Sequence, residues 1–387
     1  MTKECRLPIA VACGSFKVLG GRERDCLDIS RGLASLGHDV VILTARPPAG
    51  LGQGAQALAW ELVPWRGWTN HGRLLEFSRG VEEWRARHPV AAVLGFDRIS
   101  GLDFLYCSDQ PWRRPAGVEA LLPRHRVHAR LEDAVFGPQS RTHIFFLAEP
   151  QAANYRRRYA LDPARFDVLP PLVRAPAAMA RSNGTSREIV RRELSIPRDH
   201  SLLVNVAHYG RQKGLDRAIE ALSALDRTTL LSVGLRDGGR FAAHARRHGV
   251  ADRVRFVGYS DNPGRLISAA DLMVHPARVD TTGTVIIEGL ACGVPVVSSS
   301  VCGYSAHVTR SGAGQVISEP FRLDELTEAI RSCLAKGYLE DLRAKARAYA
   351  RVLEALRGVD GVVRTISERI VTLRSQQRRP GQTCGSP

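Results

Sequence analysis

Among the eight cysteines of this 387-residue chain there is no Cys-x-x-Cys pair and no His/Cys cluster, so neither a zinc framework nor a disulfide framework has support. Several of these cysteines lie inside apolar runs, where a free thiol behaves as a small hydrophobe. No apolar run approaches the ~20 residues that a membrane-crossing helix needs. The opening Met1 to Arg6, followed by Leu7 to Cys13, reads as a first strand rather than a leader, and a cytoplasmic location is the expectation. Asp-x-Asp is absent and no residues show metal-ligand spacing, so nothing points to metal-assisted transfer. The first strand-to-helix turn lacks the G-x-G-x-x-G spacing of a dinucleotide site. Aromatics make up only 6% of the chain, without stacking platforms or groove-reading motifs, which argues against a nucleic-acid binder.

What is abundant is positive charge. A formal net charge of +16 favours an anionic partner: nucleic acid, an acidic membrane surface or a phosphorylated substrate. An apolar fraction of 44% and a charged fraction of 24% are those of a globular protein, and the length suits about two domains.

Strand and helix signals alternate in two series. Ile9 to Cys13, a helix from Arg24 to Leu36, and the strand Asp39 to Thr44 open the first. A helix over Phe77 to His88 and the strands Val90 to Phe96 and His143 to Leu147 continue it. Pro170-Pro171 and the Ala/Pro/Ser/Gly-rich run from Arg174 to Thr185 read as a linker. The second series has strands at Leu202–Val206, Thr229–Val233, Val254–Val257, Leu272–His275 and Pro295–Ser298, with helices between them. Short apolar strands without alternation imply sheets buried on both faces. The expected architecture is α/β: two doubly wound Rossmann-like domains facing across a cleft. Their expected bounds are 1–172 and 173–355. A helix at 356–375, able to cross back to the first domain, and a disordered tail at 376–387 would follow.

The densest chemistry lies in Asp280-Thr-Thr-Gly283-Thr284-Val285-Ile-Ile-Glu288, with two carboxylates eight residues apart across a glycine turn. A glycine turn feeding a helix offers free amide N–H groups and a positive dipole end to a diphosphate. Carboxylates accept hydrogen bonds from sugar and ribose hydroxyls. Arg211-Gln212-Lys213 stands between the first strand and helix of the second series, where ligands bind at such sheet edges. Its cations can neutralise a departing nucleoside diphosphate. Tyr259 ends a strand at the same edge. In the first series Gly20, Gly21 and Asp25 occupy the first turn, and His71, Arg73, Asp97, Asp103 and Asp109 are the groups available to bind or deprotonate an acceptor hydroxyl.

With these residues the chain resembles the retaining glycosyltransferases of family 4, which have the GT-B fold. Gly20 to Asp25, Thr69 to Arg73, Gly95 to Asp109, Ala148 to Pro171 and Val301 to Tyr304 resemble the group acting on lipopolysaccharide core heptose. The similarity runs from about residue 8 to 355. It implies a UDP-sugar donor and no cofactor, with Glu288 on the ribose and Arg211 and Lys213 on the diphosphate. Gly283, Thr284 and Val285 would offer amides to the distal phosphate and sugar, Asp280 would hold sugar hydroxyls, and Gly20 and Gly21 would close on the donor. Asp109 would lie by the acceptor. The family's first carboxylate is usually glutamate, and Asp280 is one methylene shorter. The basic stretch Arg113, Arg114, Arg124, Arg126 and Arg130, interleaved with Leu121, Leu122 and Val127, suits an anionic inner-membrane face. A peripheral enzyme on the cytoplasmic side is expected. Another lipid-linked or polysaccharide acceptor remains the alternative.

Overall fold

The computed structural model describes residues 6–16, 20–48, 58–173, 184–235, 238–356 and 358–377. In chain order the first unit contains β1 (Pro8–Ala12), α1 (Gly21–Ser35), β2 (Asp39–Thr44), β3 (Ala59–Leu62), α2 (Asn70–Arg87), β4 (Ala92–Gly95), β5 (Phe104–Cys107), α3 (Pro123–Phe136), β6 (His143–Phe146), α4 (Glu149–Tyr159) and β7 (Phe166–Val168). The second contains α5 (Gly184–Glu193), β8 (Ser201–Val206), α6 (Leu215–Leu222), β9 (Thr228–Val233), α7 (Gly239–Arg247), β10 (Val254–Gly258), α8 (Pro263–Ser268), β11 (Leu272–His275), α9 (Thr284–Ala291), β12 (Val296–Ser299), α10 (Ser305–Ser311), β13 (Gly314–Ile317), α11 (Leu323–Leu334) and α12 (Tyr338–Ala355). A last helix, α13 (Gly358–Gln377), follows. By contacts, residues 1–172 and 359–387 form one unit and 173–358 the other.

Each unit is built on a parallel sheet. Strand order is β3-β2-β1-β4-β5-β6-β7 in the first and β10-β9-β8-β11-β12-β13 in the second. In both, the chain starts mid-sheet, winds outward one way, then returns to wind the other. The reversal leaves a crevice between β1 and β4, and another between β8 and β11, at the carboxyl ends of the strands. Strands β4, β5, β6, β11 and β12 are buried at every position, as runs covered by helices on both faces must be.

Helix α13 completes the first unit. Val363, Ile366 and Ile370, spaced to share one helix face, join the core made by Ile9, Val11 and Ile29. A Cβ at Gly32 of α1 would stand 2.5 Å from Val363 Cγ2, so the missing side chain sets how closely α13 approaches. Arg369 forks onto Asp167 at 2.9 and 2.7 Å, and His38 meets Ser367 at 2.8 Å. Truncating Ile366, which is fully buried, would cost about 2–5 kcal/mol.

Several elements differ from the sequence reading. Gln376 and Gln377 continue α13, and residues 378–387 of the expected tail lie outside the described residues. The expected linker also falls outside them as far as residue 183, while Thr185 is helical in α5. Helix α2 begins seven residues before Phe77, because the Thr69 hydroxyl accepts the Gly72 amide as an N-cap (3.1 Å). The strands β3, β5, β7 and β13 have only three or four residues each, too short to show a period.

Candidate active site

The second switch point is built by the loops after β8 and β11. Gly214 has φ +74°, and a Cβ there would lie 1.9 Å from the Pro276 carbonyl oxygen, so only glycine lets the two loops touch. Arg278 then locks them: its amide donates to the Gln212 carbonyl and its guanidinium to the Arg211 carbonyl, both at 2.8 Å. The same guanidinium forks onto Asp216 at 2.8 and 2.8 Å.

That bracing delivers Lys213 Nζ to Asp280 Oδ2 at 2.7 Å. His275, the last residue of β11, reaches the same oxygen at 2.8 Å. A carboxylate only accepts, so His275 Nε2 carries the proton. Asp280 is 8% exposed. Burial alone would raise its pKa, but the His275 hydrogen bond and the Lys213 charge overcome that and hold the carboxyl well below the usual range.

Next along the chain Gly283, at φ +76°, caps α9. The first amides of α9, at Thr284 and Val285, precede any i−4 carbonyl within the helix and are available to an anion. Glu288 follows one turn later, half-buried, and Arg211 is exposed. Lys213 and Asp280 thus stand on adjoining loops, and Gly283, Thr284 and Val285 follow Asp280 at the start of α9. Tyr259, 54% exposed, stands apart at the end of the edge strand β10, with β9 and β8 between it and β11.

The first switch point repeats the construction with other residues. Asp97, just after β4, accepts the Gly14 amide at 2.7 Å and the Arg22 guanidinium at 2.6 Å. Both its oxygens are therefore engaged, which makes it the counter-ion of Arg22 rather than a base. Gly20 donates its amide to Glu23 Oε2 at 3.0 Å, and a Cβ at Gly21 would meet nothing within 4 Å, leaving open space there. Asp25 accepts from the Tyr106 hydroxyl at 3.0 Å. His71 Nε2 lies 3.3 Å from the Thr69 hydroxyl, and Arg73 Nε donates to the Gly67 carbonyl at 2.7 Å.

Asp109 follows β5, with a half-exposed carboxylate 3.9 Å from Arg98. Arg98 is itself fixed by Glu132, which is fully buried and also accepts the Trp112 amide (2.6 Å) and the Tyr159 hydroxyl (2.8 Å). Asp103, expected among the acceptor groups, does not stand with them. It precedes β5, at the opposite edge of the sheet from Asp109, and its carboxylate caps structure by accepting from Val93 N (2.8 Å) and Arg85 (2.9 Å). Sequence reasoning missed His275, Arg22 and Glu132: Arg22 lies 75 residues from Asp97 and Glu132 lies 34 from Arg98, whereas His275, at the end of a strand five residues before Asp280, carried a local signal.

Among the described residues two groups bring possible metal ligands within 4.8 Å of one another, which chain spacing did not reveal: His275, Asp280 and Cys302, and Glu220, His244 and His248. In the first, Lys213 already supplies the cation, and burial pushes the Cys302 thiol up to about 12, so it is a protonated and poor ligand at neutral pH. The second lies on α6, α7 and the residue that ends α7, His248, with His244 meeting Glu220 at 2.9 Å.

Two Rossmann-like sheets in one chain, with a cation and an amide-bearing turn at the second switch point, are the plan of a GT-B glycosyltransferase. Residues 186–352 match the family model for glycosyl transferases group 1. The chain is 33% identical over 355 residues to the lipopolysaccharide glucosyltransferase WaaG of Escherichia coli K12, covering 88% of this chain and 94% of that one. The WaaG crystal structure, 30% identical, aligns with a TM-score of 0.85 over 94% of this chain and 99% of that one. Anabaena HepE, crystallised with UDP-glucose, shares the fold at a TM-score of 0.73 and 16% identity, over 96% of this chain and 100% of its own. The chain belongs to the group 1 glycosyltransferases and is an enzyme of that class close to WaaG.

Proposed function

We propose that the enzyme transfers a hexose, glucose foremost, from a UDP-sugar to a heptose of the lipopolysaccharide inner core, with retention and without a metal ion. The observation that carries this reading is the Lys213–Asp280–His275 arrangement beside the Gly283 turn. Lys213 and the Thr284 and Val285 amides supply positive potential where a leaving diphosphate develops charge, the task a metal performs elsewhere. Both contacts to Asp280 go to Oδ2, which leaves Oδ1 for a sugar hydroxyl. Glu288 serves the ribose. The relative's name, a lipopolysaccharide glucosyltransferase, supports the hexose and the acceptor. Retention is read as front-face attack assisted by the leaving phosphate, with Asp109, half-exposed after β5, as the group for the acceptor hydroxyl.

A peripheral station on an anionic membrane fits the surface of the first unit. Val118, Leu121 and Leu122 are exposed beside Arg113 and Arg124, both on Glu119, and beside exposed Arg126 and Arg130. Among the described residues no helix is long and apolar enough to cross a membrane.

The test is a donor panel followed by an acceptor panel. UDP-glucose should raise the melting temperature above that with GDP- or ADP-sugars. Heptose-bearing core lipid should then accept glucose with chelator present. A larger shift with another nucleotide, or transfer that stops with chelator, would overturn the donor or the metal-free reading respectively.

A further inference from the structure

A cavity of about 310 Å³ opens at the first switch point, lined by Gly14, Arg22, Arg46, Trp65, Arg73 and Asp97 among others. Its charge does not balance. Three arginines face one carboxylate, and Arg22 already takes up that carboxylate at 2.6 Å and Glu23 at 2.7 Å. Among the described residues Arg46 and Arg73 have no carboxylate partner. Arg73 spends its Nε on the Gly67 carbonyl, and the Arg46 guanidinium lies 5.8 Å from the Trp65 ring centroid. A guanidinium against an indole keeps its N–H fork for a planar or tetrahedral oxyanion. The indole itself is seated on backbone: a Cβ at Gly14 would stand 2.8 Å from Trp65 Cζ3.

We propose that this cavity recognises an oxyanion, a phosphate or a carboxylate, borne by the acceptor beside the sugar that receives the hexose, through Arg46 and Arg73. The setting rests on the acceptor reading above; the chemistry rests on the unbalanced charge. Two charge-assisted contacts would give the anionic acceptor a large advantage over its neutral parent, about tenfold for each arginine.

The experiment saturates the nucleotide site with UDP, so that it takes no other anion, and then titrates heptose, a heptose phosphate and a heptose-linked sugar acid by calorimetry. One charged compound should bind at least about tenfold more tightly than heptose, and the two arms tell phosphate from carboxylate. The preference should shrink in high salt, disappear in Arg46→Gln with Arg73→Gln, and partly survive in Arg46→Lys. UDP affinity of the variants serves as the folding control. Equal binding of all three compounds, or a preference that outlives the double variant, overturns the proposal. Oxyanion-dependent binding without transfer to any heptose would sink the heptose reading and leave this one standing.

Discussion

The two switch points place a cation on a carboxylate in the same topological position, yet they hold it differently. In the second unit Lys213 meets a carboxylate that is nearly sealed and backed by a buried imidazole. In the first, Arg22 meets one backed by a main-chain amide, with two more arginines nearby. A lysine is a point charge on a flexible stem and can swing from Asp280 to a phosphate. The Arg22 fork, pinned by Asp97 and Glu23 together, is built to stay. One fold therefore yields a transferable charge on one side and a fixed frame on the other.

The largest expected effect breaks that contrast most directly. Lys213→Ala should lower kcat by about two to three orders of magnitude, while Arg22→Ala should act mainly on acceptor KM. Steady-state kinetics of both variants decides it, and an equal loss of kcat in each would erase the distinction. Next comes the backbone: Gly214→Ala must clear a 1.9 Å contact at positive φ and should cost about 2–4 kcal/mol in a denaturant midpoint.

Acid should expose a smaller effect shared by both units. Burial pushes His128 in the first and His307 in the second down to about 4. Both are depressed below the unfolded value, so the unfolded chain binds more protons between about pH 6.5 and 4. Stability is complete above that window and is lost as the pH falls through it. Melting temperatures from pH 7 to 4.5 should fall less steeply in His307→Gln than in the parent. Smallest is Gly21→Ala, which enters open space and should leave Tm within about a degree. Any loss of activity there then reports on a ligand, not on folding.

Much of this was legible along the chain. Asp39–Thr44 and Leu272–His275 have the bounds that their apolar runs suggested, and the Arg211–Lys213 loop and the Gly283 turn announced themselves by local spacing. What was hidden depends on distance. Nothing near Asp97 indicates that Arg22, 75 residues earlier, will claim it. Glu132 reads as one of two neighbouring acids in a basic helix until Arg98 and Trp112 arrive from elsewhere. Asp103 looked equivalent to Asp109, since a sequence does not say at which end of a short strand a carboxylate stands.

The return of α13 to the first unit has a consequence for biogenesis. A nascent chain that has emerged only as far as Leu172 carries seven strands whose covering helix has not been translated, with the partners of Val362, Val363, Ile366 and Ile370 still wet. The later-made unit can close its own interior as soon as α12 leaves the ribosome, whereas the earlier-made one must wait until α13 has been made.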